Sequence, residues 1–340
     1  MKKTIKKIFA AVAVLAAGMI VFCTVLAIRN TDGEDAQGKS ESTLSDSASE
    51  NFANILFLGT DRAAGLCDVM MLVNVNFTSD SVTVAQIPRD TYAAYTENSY
   101  KKLNGAYNSL GGAEQTARFV EGAMGISIDH YVCIGLDTLV AVVDTIGGVD
   151  VELPCDMRYS DSAQGLYIDL KKGVQHLDGA LAEKFLRFRS AYAEGDLGRI
   201  DAQKIFMAAL FSRIADEFSP ALALKLTAVA ENVETDISIA DMLSIGVQTL
   251  DMDRERMILL TLPGEHVVAT ESGASYYVLS SPATAEIMQR YFGGTGGFDN
   301  GQKFLNGNYK SFEDAYRKYM EYDVESLKDI AENGIKIEIK

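Results

Sequence analysis

The sequence is short of most residue patterns that announce a chemistry. Tryptophan is absent, prolines number five and histidines three. His130, His176 and His266 are far apart, and each reads as a structural or surface residue rather than a metal ligand. No CxxC, HExxH or GxSxG occurs. Nothing therefore supports a zinc site, a serine or cysteine hydrolase, or a dinucleotide-binding fold. Of the four cysteines, Cys23 lies in an apolar N-terminal run, which leaves Cys67, Cys133 and Cys155. An odd number of thiols in an oxidising compartment does not make a disulfide framework. Cys133 falls in a strand-like run and reads as a small core residue. Positive charge is scarce too: 31 lysines and arginines stand against 47 aspartates and glutamates, a formal net charge of -16. Such a chain repels nucleic-acid phosphates.

What is present begins with a membrane signal. Lys2, Lys3, Lys6 and Lys7 precede an uncharged run of 21 residues from Ile8 to Ile28. That length spans a hydrocarbon core of about 30 Å. A cleavable signal peptide has a shorter apolar region, about 7–15 residues, and a small-x-small site. Here the one poor site, Ala16-Ala17-Gly18, is inside the run, so an uncleaved anchor is expected. The lysines put the N-terminus in the cytoplasm and the rest of the chain outside the cell. Residues 30–53 are serine-rich and acidic, with too little apolar area to order themselves, and read as a flexible extracellular linker. The expected organisation is an anchor over 1–29, this linker, an α/β domain over 54–265 and an extension over 266–340.

From Asn54 the apolar runs shorten and alternate with helical patterns, which indicates an α/β sheet with helices on its faces. Strands are expected over 54–59, 69–77, 81–87, 128–134, 149–153 and 257–262. Helices are expected over 112–125, 136–146, 177–185, 198–218, 222–229, 239–250, 281–291 and 311–331. Gly147-Gly148 reads as a helix C-cap. Thr78-Ser79-Asp80 joins two strands into a hairpin. If it turns about Ser79, Asp68 falls opposite Asp90. Asp61 reaches the same sheet edge if the first strand runs parallel to the third. Asp61, Asp68, Arg89 and Asp90 then share one rim, where two carboxylates can hold a hard cation such as Mg²⁺ with phosphate as co-ligand. Turn-forming aspartates beside an ordinary Asp–Arg ion pair give the same pattern, and spacing leaves both readings open.

Against the acidic background, Phe185–Gln203 (FLRFRSAYAEGDLGRIDAQ) concentrates Arg187, Arg189 and Arg199, with Gln203 four residues after the last. Arg187 and Arg189 point to one side of an extended segment. Asp196-Leu197-Gly198 reads as a turn and helix start, which puts Arg199 in a first turn and Gln203 on its face. Planar donors converging near a helix N-terminus suit a phosphate or pyrophosphate. For any one arginine, a surface carboxylate partner is the ordinary alternative.

These stretches resemble the LytR–CpsA–Psr family of bacterial cell-wall proteins. The resemblance is carried by NILFLGTDR (54–62), CDVMMLVNVN (67–76), IPRDTY (87–92), KLNGAY (102–107), IDHYVCI (128–134), DTIGGVDVELP (144–154), HLDGALAEKFLRFR (176–189) and GDLGRIDAQ (195–203), in that order. It implies an α/β/α sandwich with a mixed central sheet and an apolar cleft for a polyprenyl chain. It also implies an enzyme that transfers a glycopolymer, such as teichoic acid or capsular polysaccharide, from an undecaprenyl pyrophosphate carrier to peptidoglycan. Carried over by position, Arg89, Arg187, Arg189, Arg199 and Gln203 form the pyrophosphate clamp, with Lys102 as a weaker contact. Asp61 and Asp68 are the aspartates associated with Mg²⁺ (or Mn²⁺). Arg89, Asp90 and Arg199 are the catalytic candidates, Asp90 orienting Arg89 or serving the acceptor hydroxyl. Two departures stand out. Leu66-Cys67 replace an Arg-Ser found in many members, with Arg62 as a possible substitute from the same loop, and Ala202 replaces an arginine. Both lower the local positive charge and keep a second function in view, a non-catalytic extracellular binder or sensor of polyprenyl pyrophosphate lipids.

Overall fold

Alternating side chains decide the layering of this molecule. The computed structural model describes residues 52–61, 65–93, 102–162, 165–217, 233–237, 252–269, 272–295 and 310–340, with scattered positions between 219 and 229. The expected anchor, nearly all of the linker, Arg62 and the helix expected over 239–250 lie outside them. Among the described residues no helix is long and apolar enough to cross a membrane.

The first three strands are β1 (Phe52–Asp61), β2 (Leu66–Asn76) and β3 (Ser81–Gln86). They form an antiparallel meander, and β4 (His130–Gly135) adds to the far side of β1 in parallel. Successive residues of a strand point to opposite faces. Ile55, Phe57, Met71, Val73, Val84, Val132 and Ile134 therefore enter one core, while Leu56, Leu58, Met70, Leu72, Ala85 and Cys133 enter another on the reverse face. The first core is covered by α3 (Leu136–Thr145), α4 (Gly179–Arg187) and α5 (Asp196–Glu217). The second is covered by α1 (Ala106–Leu110), α2 (Ala113–Met124) and α6 (Ser281–Tyr291). Helices thus flank both faces of a mixed central sheet.

That sheet has seven strands in the order β13-β10-β3-β2-β1-β4-β9. Here β9 is Glu234–Thr235, β10 is Met257–Thr261 and β13 is Val324–Ser326. Asn54 pins the centre from inside: its side-chain amide donates to the carbonyls of Ser127 and Phe292, and Asn74 donates to it in turn.

Several expectations need correction. β1 starts at Phe52, inside the segment read as linker. The strand expected over 149–153 does form, as β5 (Val149–Leu153), but it leaves the central sheet and pairs with β8 (Gly173–Leu177). Between them lies an unforeseen hairpin, β6 (Met157–Asp161) with β7 (Leu166–Leu170). Leu177 ends β8, so α4 begins two residues later than the helix expected there. The single helix expected over 311–331 is two, α7 (Lys310–Arg317) and α8 (Leu327–Asn333), separated by β13. β13 pairs antiparallel with β10, and Leu327 and Ile330 of α8 join the first core. The boundary drawn after residue 265 also cuts through β11 (Gly264–Val268), which pairs with β12 (Ser275–Leu279). The C-terminal segment is part of the sandwich, because the exposed edge of β10 needs a partner.

Candidate active site

Between the first core's face of the sheet and its helices lies a cavity of about 370 Å³. Phe57, Val69, Met71 and Ile134 form its floor; Leu136, Leu139 and Val142 of α3 form one wall; Tyr159 and Leu166 of the β6–β7 hairpin overhang it. The opposite wall comes from α5 through Arg199, Gln203, Phe206, Met207 and Leu210. These five fall at positions i, i+4, i+7, i+8 and i+11, one face of a helix. Their order sets a polarity gradient: guanidinium and amide in the first turns, apolar side chains after them. At about 1.5 Å per residue, Arg199 and Leu210 are roughly 16 Å apart along the axis. One helix face thus presents a basic end and a greasy end to the same cavity.

The sheet supplies the acidic partner through a β-bulge. Gly59 pairs with Val69 but Thr60 pairs with Cys67, so Asp68 is the extra residue. Bulges re-aim side chains. Cys67 goes into the second core, where burial pushes its thiol well above the ordinary cysteine range, while Asp68 lines the cavity. Gly59 permits this close approach, since a Cβ there would lie 3.0 Å from the Val69 Cβ. On the other side of β2 the register is one residue off the expectation. Met71 faces Gln86, and three further steps bring Asp68 to Arg89, not to Asp90. The Arg89 Nη1 donates to Asp68 Oδ1. β1 and β3 do run in the same direction, so the end of β1 at Asp61 shares an edge with Asp68 and Arg89.

Arg89 is the hub of this edge. Besides Asp68, its Nε lies 3.4 Å from Asp196 Oδ1 and 3.9 Å from Asp90 Oδ1. Burial alone would lower its pKa, but Asp196, Asp68 and Asp90 outweigh that and raise it above the usual arginine value. Arg199 is 5% exposed and sits 2.7 Å from the same Asp196 oxygen through Nη2. Its burial lowers its pKa, Asp196 opposes that, and Arg89 and Arg189 add repulsion. The helix start that holds Arg199 depends on Gly198: a Cβ there would be 2.7 Å from the Cβ of buried Tyr192. Gln203 accepts a buried hydrogen bond from Gln86 Nε2 at 2.7 Å, which ties α5 to β3 behind the basic end.

Arg187 and Arg189 both line the cavity, though not as neighbours on an extended segment. Arg187 is the last residue of α4 and donates to Glu183 one turn back at 2.9 Å; Arg189 follows the extended Phe188 and is exposed. Asp90 and Lys102 stand behind Arg89, off the cavity wall, paired with each other at 3.0 Å. Arg62 lies outside the described residues, as does the side chain of Asp61. Leu66 is half-buried, Cys67 is fully buried, and Ala202 is buried in the first core, so none of the three faces the cavity. Two functional elements were missed in the sequence. Asp196 passed as a turn former, although its i,i+3 spacing to Arg199 at a helix start is a signal for an ion pair. The β6–β7 overhang carried no signal beyond short polar–apolar alternation.

The donor set fits a hard cation in a limited way. Among the described residues no group of three or more potential ligands could hold a metal ion. Asp68 offers a carboxylate, 43% exposed, at the cavity wall. Mg²⁺ commonly uses one or two carboxylates and completes its shell with water and substrate phosphate, so the arrangement fits a cation that arrives with a phosphorylated ligand.

A family model, described as the LytR_cpsA_psr family, matches residues 19–292. The polyisoprenyl-teichoic acid–peptidoglycan teichoic acid transferase TagV of Bacillus subtilis is 32% identical over 234 residues, 66% of this chain and 60% of that protein. TagU of Halalkalibacterium halodurans, which bears the same transferase description, is 32% identical over 246 residues, 68% of this chain and 77% of that protein. The crystal structure of B. subtilis TagV superimposes with a TM-score of 0.61 at 28% identity, covering 73% of this chain and 99% of that one.

Proposed function

Since the chain belongs to the LytR–CpsA–Psr family, we propose that it is a phosphotransferase that moves a glycopolymer, of teichoic-acid or capsular-polysaccharide type, from an undecaprenyl pyrophosphate carrier to peptidoglycan. The observation that carries this reading is the polarity gradient along α5, with Arg199 and Gln203 at one end of the cavity and Phe206, Met207 and Leu210 at the other. A polyprenyl pyrophosphate has the same division into a charged head and an apolar tail. The description of the TagV and TagU relatives as polyisoprenyl-teichoic acid transferases supports it further.

Arg89, Arg199, Arg187 and Arg189 bind the pyrophosphate, and Gln203, fixed by Gln86, adds a neutral donor. A muramic acid hydroxyl of peptidoglycan attacks the phosphorus that bears the glycopolymer. The bond from that phosphorus to the oxygen that bridges the two phosphates breaks, undecaprenyl phosphate leaves with that oxygen, the hydroxyl gives up its proton, and a phosphodiester links polymer to wall. Such transfers depend on positioning and charge neutralisation more than on covalent help from the protein. Arg89 and Arg199 stabilise the charge that grows on the leaving phosphate. Asp90, held by Lys102, orients Arg89 from behind. Asp68, with Asp61 at the end of β1, would hold Mg²⁺ or Mn²⁺, which when bound would supply further neutralisation of phosphate charge. The Ile8–Ile28 run anchors the chain with its N-terminus in the cytoplasm and this domain outside, which places the cavity near the membrane that carries the lipid.

Incubation of the full chain with lipid-linked polymer, peptidoglycan and Mg²⁺ tests this reading. Covalent attachment of polymer to peptidoglycan with release of undecaprenyl phosphate is expected. Tight lipid binding without product would identify a binder or sensor instead.

A further inference from the structure

We infer that Asp196 is a positioning residue for the transfer reaction: one carboxylate oxygen that gathers Arg89 and Arg199, from different parts of the chain, onto a single phosphate-binding locus. The inference rests on the proposed function of the same cavity. Its basis is geometric. Asp196 Oδ1 lies 2.7 Å from Arg199 Nη2 and 3.4 Å from Arg89 Nε, and the Asp196 side chain is only 10% exposed. Two guanidinium groups this close and this dry repel each other, and the carboxylate between them offsets that repulsion.

The contact is an ion pair rather than a directed hydrogen bond. Among the described residues, Asp196 Oδ1 accepts no directed hydrogen bond, and the buried Nε atoms of Arg89 and Arg199 have no hydrogen-bond partner. Buried donors are normally paired; Arg89 Nε instead faces the Asp196 carboxylate at 3.4 Å without hydrogen-bond geometry, so the contact is one of charge, and both arginines still line the cavity. Asp196 does not line the cavity itself, so it acts through the arginines. Its location at the first residue of α5 fixes it to the helix that carries Arg199, while Arg89 comes from the segment after β3. The carboxylate therefore couples the sheet edge to the helix start.

This predicts a split between affinity and turnover. Removal of the negative charge leaves the cluster more positive, so a ground-state anion is held at least as well. Turnover falls, because fixed geometry is worth more in the transition state than in the ground state. The experiment uses the full chain in detergent, with inorganic pyrophosphate as the binding probe and polymer transfer as the kinetic readout. Asp196→Asn should bind pyrophosphate as tightly as the parent or more tightly, with KM unchanged and kcat lowered about 10²-fold. Asp196→Glu, which keeps the charge on a longer arm, should recover part of kcat and guards against a folding defect in the first variant. Weaker pyrophosphate binding by Asp196→Asn, or an unchanged kcat, overturns the positioning role. Failure of the parent itself to bind pyrophosphate overturns the clamp as a whole, and with it this inference, and is a distinct result.

Discussion

Arg89, three residues past the end of β3, forms an ion pair with Asp68 of β2 at the edge of the cavity. The relationship depends on register and on a bulge together. Continued three residues past its last pair, Met71 with Gln86, the register brings the two positions level, and the bulge at Asp68 re-aims its carboxylate. Because Asp68 is 43% exposed, solvent screens the pair and its contribution to stability is small, within about 1 kcal/mol. Asp68→Asn should therefore melt close to the parent. Its transfer rate should fall and should require more Mg²⁺ to reach half-maximum, since one of the expected cation ligands is gone. A titration of transfer against Mg²⁺ checks this; an unchanged requirement would remove Asp68 from the cation site.

Arg199→Ala should lower transfer by about 10²–10³-fold, the usual loss for one preorganised charge-stabilising donor. Arg199→Lys should recover little, because a point charge does not reproduce the guanidinium fork. Arg89→Ala should be as damaging. Initial rates on folded protein, confirmed by circular dichroism, provide the test. Transfer at the parent rate by Arg199→Ala would refute the clamp assignment.

The Gln86–Gln203 hydrogen bond is fully internal, both side chains being buried. Gln203→Ala leaves the Gln86 amide without its acceptor, at a cost of about 1–3 kcal/mol. Replacing both residues by leucine should be less destabilising than Gln203→Ala alone, because no buried polar group is then left unpaired. Urea denaturation of the two variants measures the difference.

A second cluster of charges, built around one buried lysine, lies on the opposite face of α5. Lys204, 5% exposed, meets Asp201 at 3.2 Å and Glu325 of β13 at 3.4 Å. Burial raises the pKa of both acids above their ordinary values, 3.8 for Asp201 and 4.5 for Glu325, against the opposing pull of Lys204; Asp323 adds to the rise at both. A raised acid binds its proton more readily in the folded state. The folded protein thus holds more protons than the unfolded chain between the ordinary and the raised values, and stability from these groups falls as pH rises through that window. Glu325→Gln should flatten the dependence of the denaturation midpoint on pH above the ordinary glutamate value of 4.5. Equal slopes for variant and parent would contradict the assignment.

Much of the sheet was legible because its strands are short apolar runs with abrupt ends. β1, β2, β3, β4 and β10 lie where those runs lie, and α2, α3, α5 and α6 where the helical spacing does. Register was less legible. A hairpin turn read as centred on Ser79 is centred between Thr78 and Ser79, and that half-residue changes which side chain faces Asp68. Nor did the sequence mark the break between α7 and α8. Lys318–Asp323 contains no glycine or proline, and β13 forms only because the edge of β10 accepts it. β6, β7 and β8 are five-residue strands with about half of their side chains exposed, too short for a period of two to stand out. At the site, Arg89, Arg199, Gln203 and Asp68 could be grouped from spacing and resemblance. For Asp196 only the i,i+3 partner Arg199 was within reach of such reading, because its other contact is to an arginine more than a hundred residues away.

The central claim is that one cavity takes a diphosphate at its basic end and an isoprenoid at its apolar end. Mass spectrometry of lipid extracted from the purified full chain tests it most directly, with a Leu139→Trp variant that fills the apolar end as the comparison. The account predicts a polyisoprenyl phosphate or pyrophosphate bound to the parent and lost from the variant. No isoprenoid on the parent, or an equal amount on the variant, would contradict it.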